Sequence, residues 1–262
     1  MKRLRETQDD AAARVVLDDE SRKAIDGLHP TLRERIGVQW QHRATAELRV
    51  AGVFAGVTQG LFERGADPKV LGIAARAVSD EVRHAELCRA VSERYLERTT
   101  PWPSHGPSPM PKLARAPLAL RPTLHTLAMG CINETIASAW LEASLRDATL
   151  PLARSVIREL IADDIHHARM GWAHLASGFV SKETRQEVGG WLPALLAAAA
   201  KPWTLKGKLN IPEGVPEHGV PSESTTLSVA RSTLQNVILP GFDALGVPTG
   251  AAREWCARTL ET

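Results

Sequence analysis

The sequence predicts an all-α fold whose long helices pair as two hairpins in a four-helix bundle, followed by extra C-terminal helices. Three observations carry this. Ala and Leu dominate, there is a single tyrosine, and β-branched runs are few, so strand signals are scarce. Two short turn signals, Gly65-Ala66-Asp67-Pro68 and Asp147-Ala148-Thr149-Leu150-Pro151, each divide a pair of long helical stretches. Between those pairs, residues 100–122 hold seven prolines and read as a long irregular crossover.

The elements follow in order. Residues 1–29 form an N-terminal extension. A first long helix runs from about Pro30 to Arg64, with apolar positions at Ile36, Val50, Val53, Phe54, Val57 and Leu61. Gly65 ends it, Asp67 caps the next helix and Pro68 opens it. That second helix reaches about Arg98. After the crossover, which includes Thr100-Pro101-Trp102-Pro103 and Gly106-Pro107-Ser108-Pro109, a third helix begins near Pro122 or Thr123 and ends near Asp147. The fourth continues from Pro151 to about Val180. Two hairpins joined by one long crossover is a known bundle connection. Residues 30–181 are therefore one bundle. Residues 182–262 add a fifth helix over 182–200, a Pro/Gly loop over 202–222, a sixth helix over 223–243 and a last one over 249–260. These are expected to pack on the bundle, because so few large apolar groups make a poor separate core.

Composition excludes several classes. A net charge of +2, with arginines scattered along the chain, gives no electrostatic case for nucleic acid. Cys88, Cys131 and Cys256 form no C-x-x-C pair, which excludes a rubredoxin-type iron centre and a zinc ribbon and suits a reducing compartment. The N-terminus, Met1 to Glu6 followed by Asp9 and Asp10, shows no signal-peptide h-region, and no apolar run approaches the roughly 20 residues of a membrane span. The expected location is the cytoplasm, with no membrane and no nucleic-acid partner.

Chemistry is concentrated in a repeat. Asp80-Glu81-Val82-Arg83-His84-Ala85 and Asp163-Asp164-Ile165-His166-His167-Ala168 each place a carboxylate three residues before a histidine. Positions i and i+3 share a helix face, so Glu81 with His84, and Asp164 with His167, point together into the bundle. Upstream of each motif a glutamate lies alone in an apolar stretch: Glu47 is 34 residues before Glu81, and Glu134 is 30 before Asp164. At about 1.5 Å rise per residue, both legs of each hairpin bring their carboxylates to similar depth. Four buried carboxylates cost several kcal/mol each unless compensated. Two divalent cations offset that charge, and oxygen-rich ligation with two imidazoles suits iron or manganese better than zinc. The candidate metal ligands are thus Glu47, Glu81, His84, Glu134, Asp164 and His167.

Arg43-Ala44-Thr45-Ala46-Glu47, Asp80 to Leu87, Cys131-Ile132-Asn133-Glu134-Thr135 and Asp163 to Arg169 resemble the ferritin-like superfamily of carboxylate-bridged di-iron proteins. The resemblance covers about residues 30–180. It implies a ferritin-like four-helix bundle holding two Fe ions, as Fe/Fe or Mn/Fe. It also implies that Asp80 and Asp163 accept from the ring of the opposite histidine and fix its orientation; exposed carboxylates paired with arginines are the alternative. The chain departs from the family pattern at Asp164, where glutamate is usual, which puts a bridging carboxylate in doubt. His166 stands where arginine is frequent and reads as a surface or supporting residue.

The resemblance further implies a non-heme di-iron oxidase or oxygenase. O2 and a small organic molecule are its substrates, and an electron donor and a homodimeric partner are its expected associates. The reaction is hydroxylation, desaturation, deformylation or N-oxygenation. The only tyrosine, Tyr95, lies three turns beyond His84, too far for a radical site, and Cys88 reads as a small buried apolar residue. Small residues beside the ligands, Ala51, Ala55, Gly130, Ala137 and Ser138, outline a substrate cavity or allow close helix packing. The alternative function is a non-catalytic or ferroxidase-like metal-binding bundle concerned with iron handling or oxidative stress.

Overall fold

A computed structural model of the chain describes residues 15–103, 106, 110–205, 207 and 210–260. Met1 to Asp10 of the N-terminal extension, Pro107 to Pro109 of the crossover and the last two residues lie outside the described residues. Among the described residues the fold is all-helical, with only an isolated bridge between Val215 and Val220. No described helix is long and apolar enough to cross a membrane.

The extension contains a short helix, α1 (Asp19–Asp26), absent from the sequence expectation. Asp18 caps it, accepting from the Ser21 backbone N–H, and Asp19 and Glu20 in the first turn suit the positive end of the helix dipole. The first hairpin is α2 (Pro30–Glu63) and α3 (Pro68–Leu96). Its turn follows the chemistry expected of it. Gly65 adopts φ +63°, open to glycine at little cost, and Asp67 accepts from the Lys69 N–H while Pro68 opens α3. α3 stops two residues earlier than expected because Glu97 turns left-handed, at φ +50°. Its carboxylate pairs there with Arg33.

The second hairpin is α4 and α5. α4 starts as Arg121–Thr126, widens into a π-helical segment over Leu127–Asn133 and resumes as Glu134–Asp147. α5 spans Pro151–Ala176, ending before the expected Val180. Ser177 takes an extended conformation and its Oγ donates to the His174 carbonyl, closing the helix there. The turn into α5 has no side-chain cap; instead Thr149 and Leu150 N–H donate to the Glu217 carbonyl of the C-terminal region.

Beyond the bundle lie α6 (Lys182–Ala199), a 3-10 turn Lys201–Thr204 and another at Pro216–His218. α7 runs from Glu223–Thr233 through a π segment Leu234–Ile238 to Leu239–Ala244, and α8 is Gly250–Leu260. These elements share a core with the second hairpin. Leu124, Leu127 and Leu175 bury with Leu192, Leu196, Leu234 and Phe242.

Two apolar clusters divide the interior of the long helices. One joins Ile36 and Trp40 of α2, Leu87 and Val91 of α3, Leu141 of α4 and Val156 and Leu160 of α5. The other joins Val53, Phe54 and Val57 with Ala74, Ala77, Met129 and Met170. Reading along α2, α3 and α5, the polar residues Glu47, Glu81, His84, Asp164 and His167 fall between these clusters. The fold therefore sandwiches one charged layer between two dry ones.

Candidate metal centre

The repeat brings all six candidate ligands to that layer. Glu81, Glu134, Asp164 and His167 offer ligand atoms within 4.8 Å of one another, and Glu47, Glu81 and His84 do the same. Glu81 belongs to both groups. Its Oε1 lies 3.0 Å from His167 Nδ1 and its Oε2 lies 3.6 Å from His84 Nδ1. Asp164 Oδ1 also reaches both rings, at 3.6 Å from His84 Nδ1 and 3.4 Å from His167 Nδ1. The shorter side chain thus still spans both histidines. Glu134 Oε2 is 3.8 Å from His167 Nδ1. Glu81, His84, Glu134, Asp164 and His167 are buried, while Glu47 is half-buried.

The outer faces of the rings are held from across the bundle. His84 Nε2 donates to Asp163 Oδ2 at 3.2 Å and His167 Nε2 to Asp80 Oδ2 at 3.4 Å. Each aspartate serves the opposite hairpin's histidine, as the resemblance implied. Both also pair with arginine, as the alternative had it, but neither is exposed: Asp163 is buried and Asp80 partly so. Arg83 binds Asp163 and lies 3.5 Å from Asp80, and Arg76 Nε lies 3.4 Å from Asp80. Because a carboxylate only accepts, the Nε2 atoms carry the protons and both Nδ1 lone pairs turn inward.

Four inward atoms then have no hydrogen-bond partner: Glu81 Oε2, His84 Nδ1, Asp164 Oδ1 and His167 Nδ1. Buried polar atoms are nearly always satisfied, so four orphans facing one point in a protein layer call for a ligand. Each can offer a lone pair when deprotonated, so the layer could hold a metal ion. Electrostatics agrees. Burial, then the charges of Glu81 and Asp164, push the Glu47 carboxyl well above its ordinary range. Burial, then Asp164 and Glu81, do the same to Glu134. Burial also raises Asp164, against the opposing effect of His167. Burial disfavours the Glu81 carboxylate too, but the facing rings of His167 and His84 outweigh it and bring its carboxyl down to about 2. Burial opposes charge on His167, yet Asp164, Asp80 and Glu81 carry its ring up to about 12. Without a cation this layer can exist only by holding protons in place of metal. Arg83 and Arg76 balance Asp80 and Asp163, whereas the inner carboxylates have no such arginine partner and form a group that could hold a metal ion.

Local structure aims the ligands. The π segment ends at Asn133, immediately before Glu134, and its wider turn shifts the register of the helix as it enters the layer. Asn133 Nδ2 donates to Glu134 Oε1 at 3.0 Å, and Trp203 Nε1 donates to Asn133 Oδ1 at 3.1 Å. A chain of hydrogen bonds thus runs from the C-terminal region to a candidate ligand. Neither Asn133 nor Trp203 was among the expected site residues; the Asn-Glu pair is local in sequence, but its link to Trp203 spans 70 residues.

A cavity of about 470 Å3 opens beside the layer. Glu47, Glu134 and Asp164 form part of its wall, with Val50, Val53, Met129, Trp140, Leu141 and Trp203 among the other lining residues. Of the small residues noted in the sequence, only Ala137 lines it. Gly130 instead lets α4 meet α5: a Cβ there would stand 2.6 Å from the Gly171 backbone nitrogen. Cys88 is buried and its thiol is pushed up by burial, so it stays protonated. Tyr95 bonds His218 Nδ1 at 2.8 Å, and His166 is exposed.

Compared with known proteins, the chain matches no family, no curated relative and no solved structure. Fold and site define the class directly: an all-helical protein with a buried carboxylate and histidine layer able to hold a metal ion.

Proposed function

We propose that the chain is a ferritin-like, non-heme dinuclear iron oxidoreductase that activates O2 to oxidise a small organic molecule, with electrons from an external donor. The observation that carries this reading is the set of four orphaned inward atoms in a layer whose Glu47, Glu134 and Asp164 line a cavity. Glu47, Glu81 and His84 would hold one ion and Glu81, Glu134, Asp164 and His167 the other, with Glu81 shared. Iron bound there would supply the electrons that reduce O2 and the oxidising power applied to substrate; a Mn/Fe pair offers related chemistry. The protein's part is positional. Asp80 and Asp163 lock the two imidazoles with their lone pairs inward, Asn133 fixes Glu134, and the half-buried Glu47 leaves its face of the layer reachable from the cavity. The cavity favours catalysis over the alternative of iron handling, because a store has no use for an apolar chamber of substrate size.

Anaerobic loading with ferrous iron should give about two ions per chain. Exposure to O2 should then consume roughly one O2 per site and produce a transient optical band. His84→Ala with His167→Ala should abolish uptake. Retained stoichiometry in that double variant would place the metal elsewhere, and iron uptake far beyond two per chain would support the storage reading.

A further inference from the structure

Gln39, Arg43 and Glu47 succeed one another at four-residue intervals on α2, and all three line the cavity. Each is about 6 Å along the helix from the next. The ladder therefore leads from the metal layer at Glu47 to a guanidinium one turn away. Arg43 is unusually fixed: its guanidinium carbon stands 4.3 Å from the centre of the Trp40 ring and 4.4 Å from that of Trp140. Two indole rings this close restrain the group by cation–π contact. One edge nitrogen, Nη2, donates to the Gly219 carbonyl at 3.1 Å. The other, Nη1, is out of contact with solvent and has no hydrogen-bond partner; the charge of Glu47, one turn on, acts on Arg43 without a hydrogen bond between them. Gln39 Oε1 in the same wall is likewise buried and unpartnered. Its amide, turned over, would present N–H groups to the same space.

A buried guanidinium with an unmet N–H is expensive to keep, and two tryptophans hold it in place. We propose that the cavity binds a small amphipathic carboxylic acid, with its carboxylate at the Arg43 guanidinium beside Gln39. Its apolar body lies against Val50, Val53, Met129 and Leu141, next to the metal layer. This names the substrate class of the proposed oxidase; the acid's oxidation rests on that reading, whereas its binding does not. The exposed residues Arg49 and His42 at the rim put cationic and imidazole groups where an anion would enter.

The test uses full-length protein stripped of metal with a chelator, so that no carboxylate can bind through iron. Octanoate against octanamide, and benzoate against benzamide, are titrated by calorimetry; each pair differs in charge and hardly in shape. At least one acid should bind on the order of tenfold or more tightly than its amide, the worth of one charged hydrogen bond. Arg43→Gln should remove the preference and Arg43→Lys should retain part of it. Ala198→Trp, which fills the cavity from α6 without touching the ladder, should weaken acid and amide alike. Equal affinity for acid and amide, no binding of either acid, or a preference that survives Arg43→Gln would overturn the proposal. If Arg43→Gln loses its helical circular dichroism, Arg43→Lys and Ala198→Trp decide the matter in its place. Ferrous stoichiometry on the same preparations separates the two readings. Two ions bound with no preference for acids defeats this inference alone, and a clear preference without metal uptake defeats the oxidase alone.

Discussion

At the scale of single residues, Asp163 and Asp80 each serve an imidazole across the bundle and the two arginines Arg76 and Arg83. An asparagine of the same size would still meet the ring but would lose the charge that steadies it and pairs Arg83. Asp163→Asn should therefore weaken ferrous binding by about 10- to 100-fold while leaving the number of ions unchanged, as replacing the outer partner of a metal-bound histidine generally does. Equilibrium competition with a chromophoric chelator measures this; a lost ion would mean that Asp163 itself ligates. A second residue-scale expectation concerns His174, buried with Thr123 Oγ1 3.1 Å from its Nε2. Burial without a counter-charge draws its ring down to about 4 from the usual 6.5. The folded state thus favours the neutral ring. Its contribution is complete above pH 6.5, declines as pH falls toward 4 and levels off below, for a total on the order of 3 kcal/mol. Denaturant midpoints followed with pH should slope less across that window in His174→Gln than in the parent chain.

At the scale of helices, the closest approach in the second hairpin lies one turn from the ligands. Gly130 precedes Glu134 by four residues and Gly171 follows His167 by four, and each meets the other's backbone. A methyl on either glycine would strike main chain, which cannot swing aside as a side chain can. Gly130→Ala should cost about 1–3 kcal/mol by overpacking, read by urea denaturation. It should also weaken metal binding, because the strain relaxes by moving Glu134 away from His167. Unchanged metal affinity with reduced stability would show that the layer tolerates a wider hairpin. The hairpins themselves were legible in the sequence, because turn chemistry is local: Gly65 needed its positive φ and Asp67 its cap. The ligand spacing was legible for the same reason, since i and i+3 on a helix suffice to place a carboxylate beside a ring. The π segment was not. Its residues, Leu127 to Asn133, suit an α-helix equally well, and only packing against α5 and α6 makes the wider turn worthwhile. Gly130, readable as a cavity residue, turned out to serve close packing because nothing in one helix reveals what backbone lies opposite it.

At the scale of the molecule, the C-terminal region reaches into the bundle at several points that no local pattern announces. Trp203 bonds Asn133 behind Glu134, Gly219 accepts from Arg43, His218 meets Tyr95 and its carbonyl accepts from Trp40. The Glu217 carbonyl also closes the turn between α4 and α5. These contacts bridge distant stretches of sequence, so the expected site held the candidate ligands and the two aspartates that the structure brings together but missed the Arg43–tryptophan contacts and the Asn133–Trp203 link. The same region covers Leu124, Leu127 and Leu175, apolar side chains that would face water without α6 and α7. Fully burying each such leucine is worth about 1.5–3 kcal/mol, and only a few of them equal the whole stability of a typical domain. A chain ending at Ser181 should accordingly lose cooperative unfolding, bind a hydrophobic dye and fail to retain two ferrous ions. Trp203→Phe tests the finer connection, since it keeps an aromatic, though smaller, side chain and removes the N–H. That variant should fold with near-parent stability and bind iron more weakly, because Asn133 is then free to turn away from Glu134. A truncated chain that unfolds cooperatively and still holds two ions would show that residues 182–262 cover the bundle without building its metal centre.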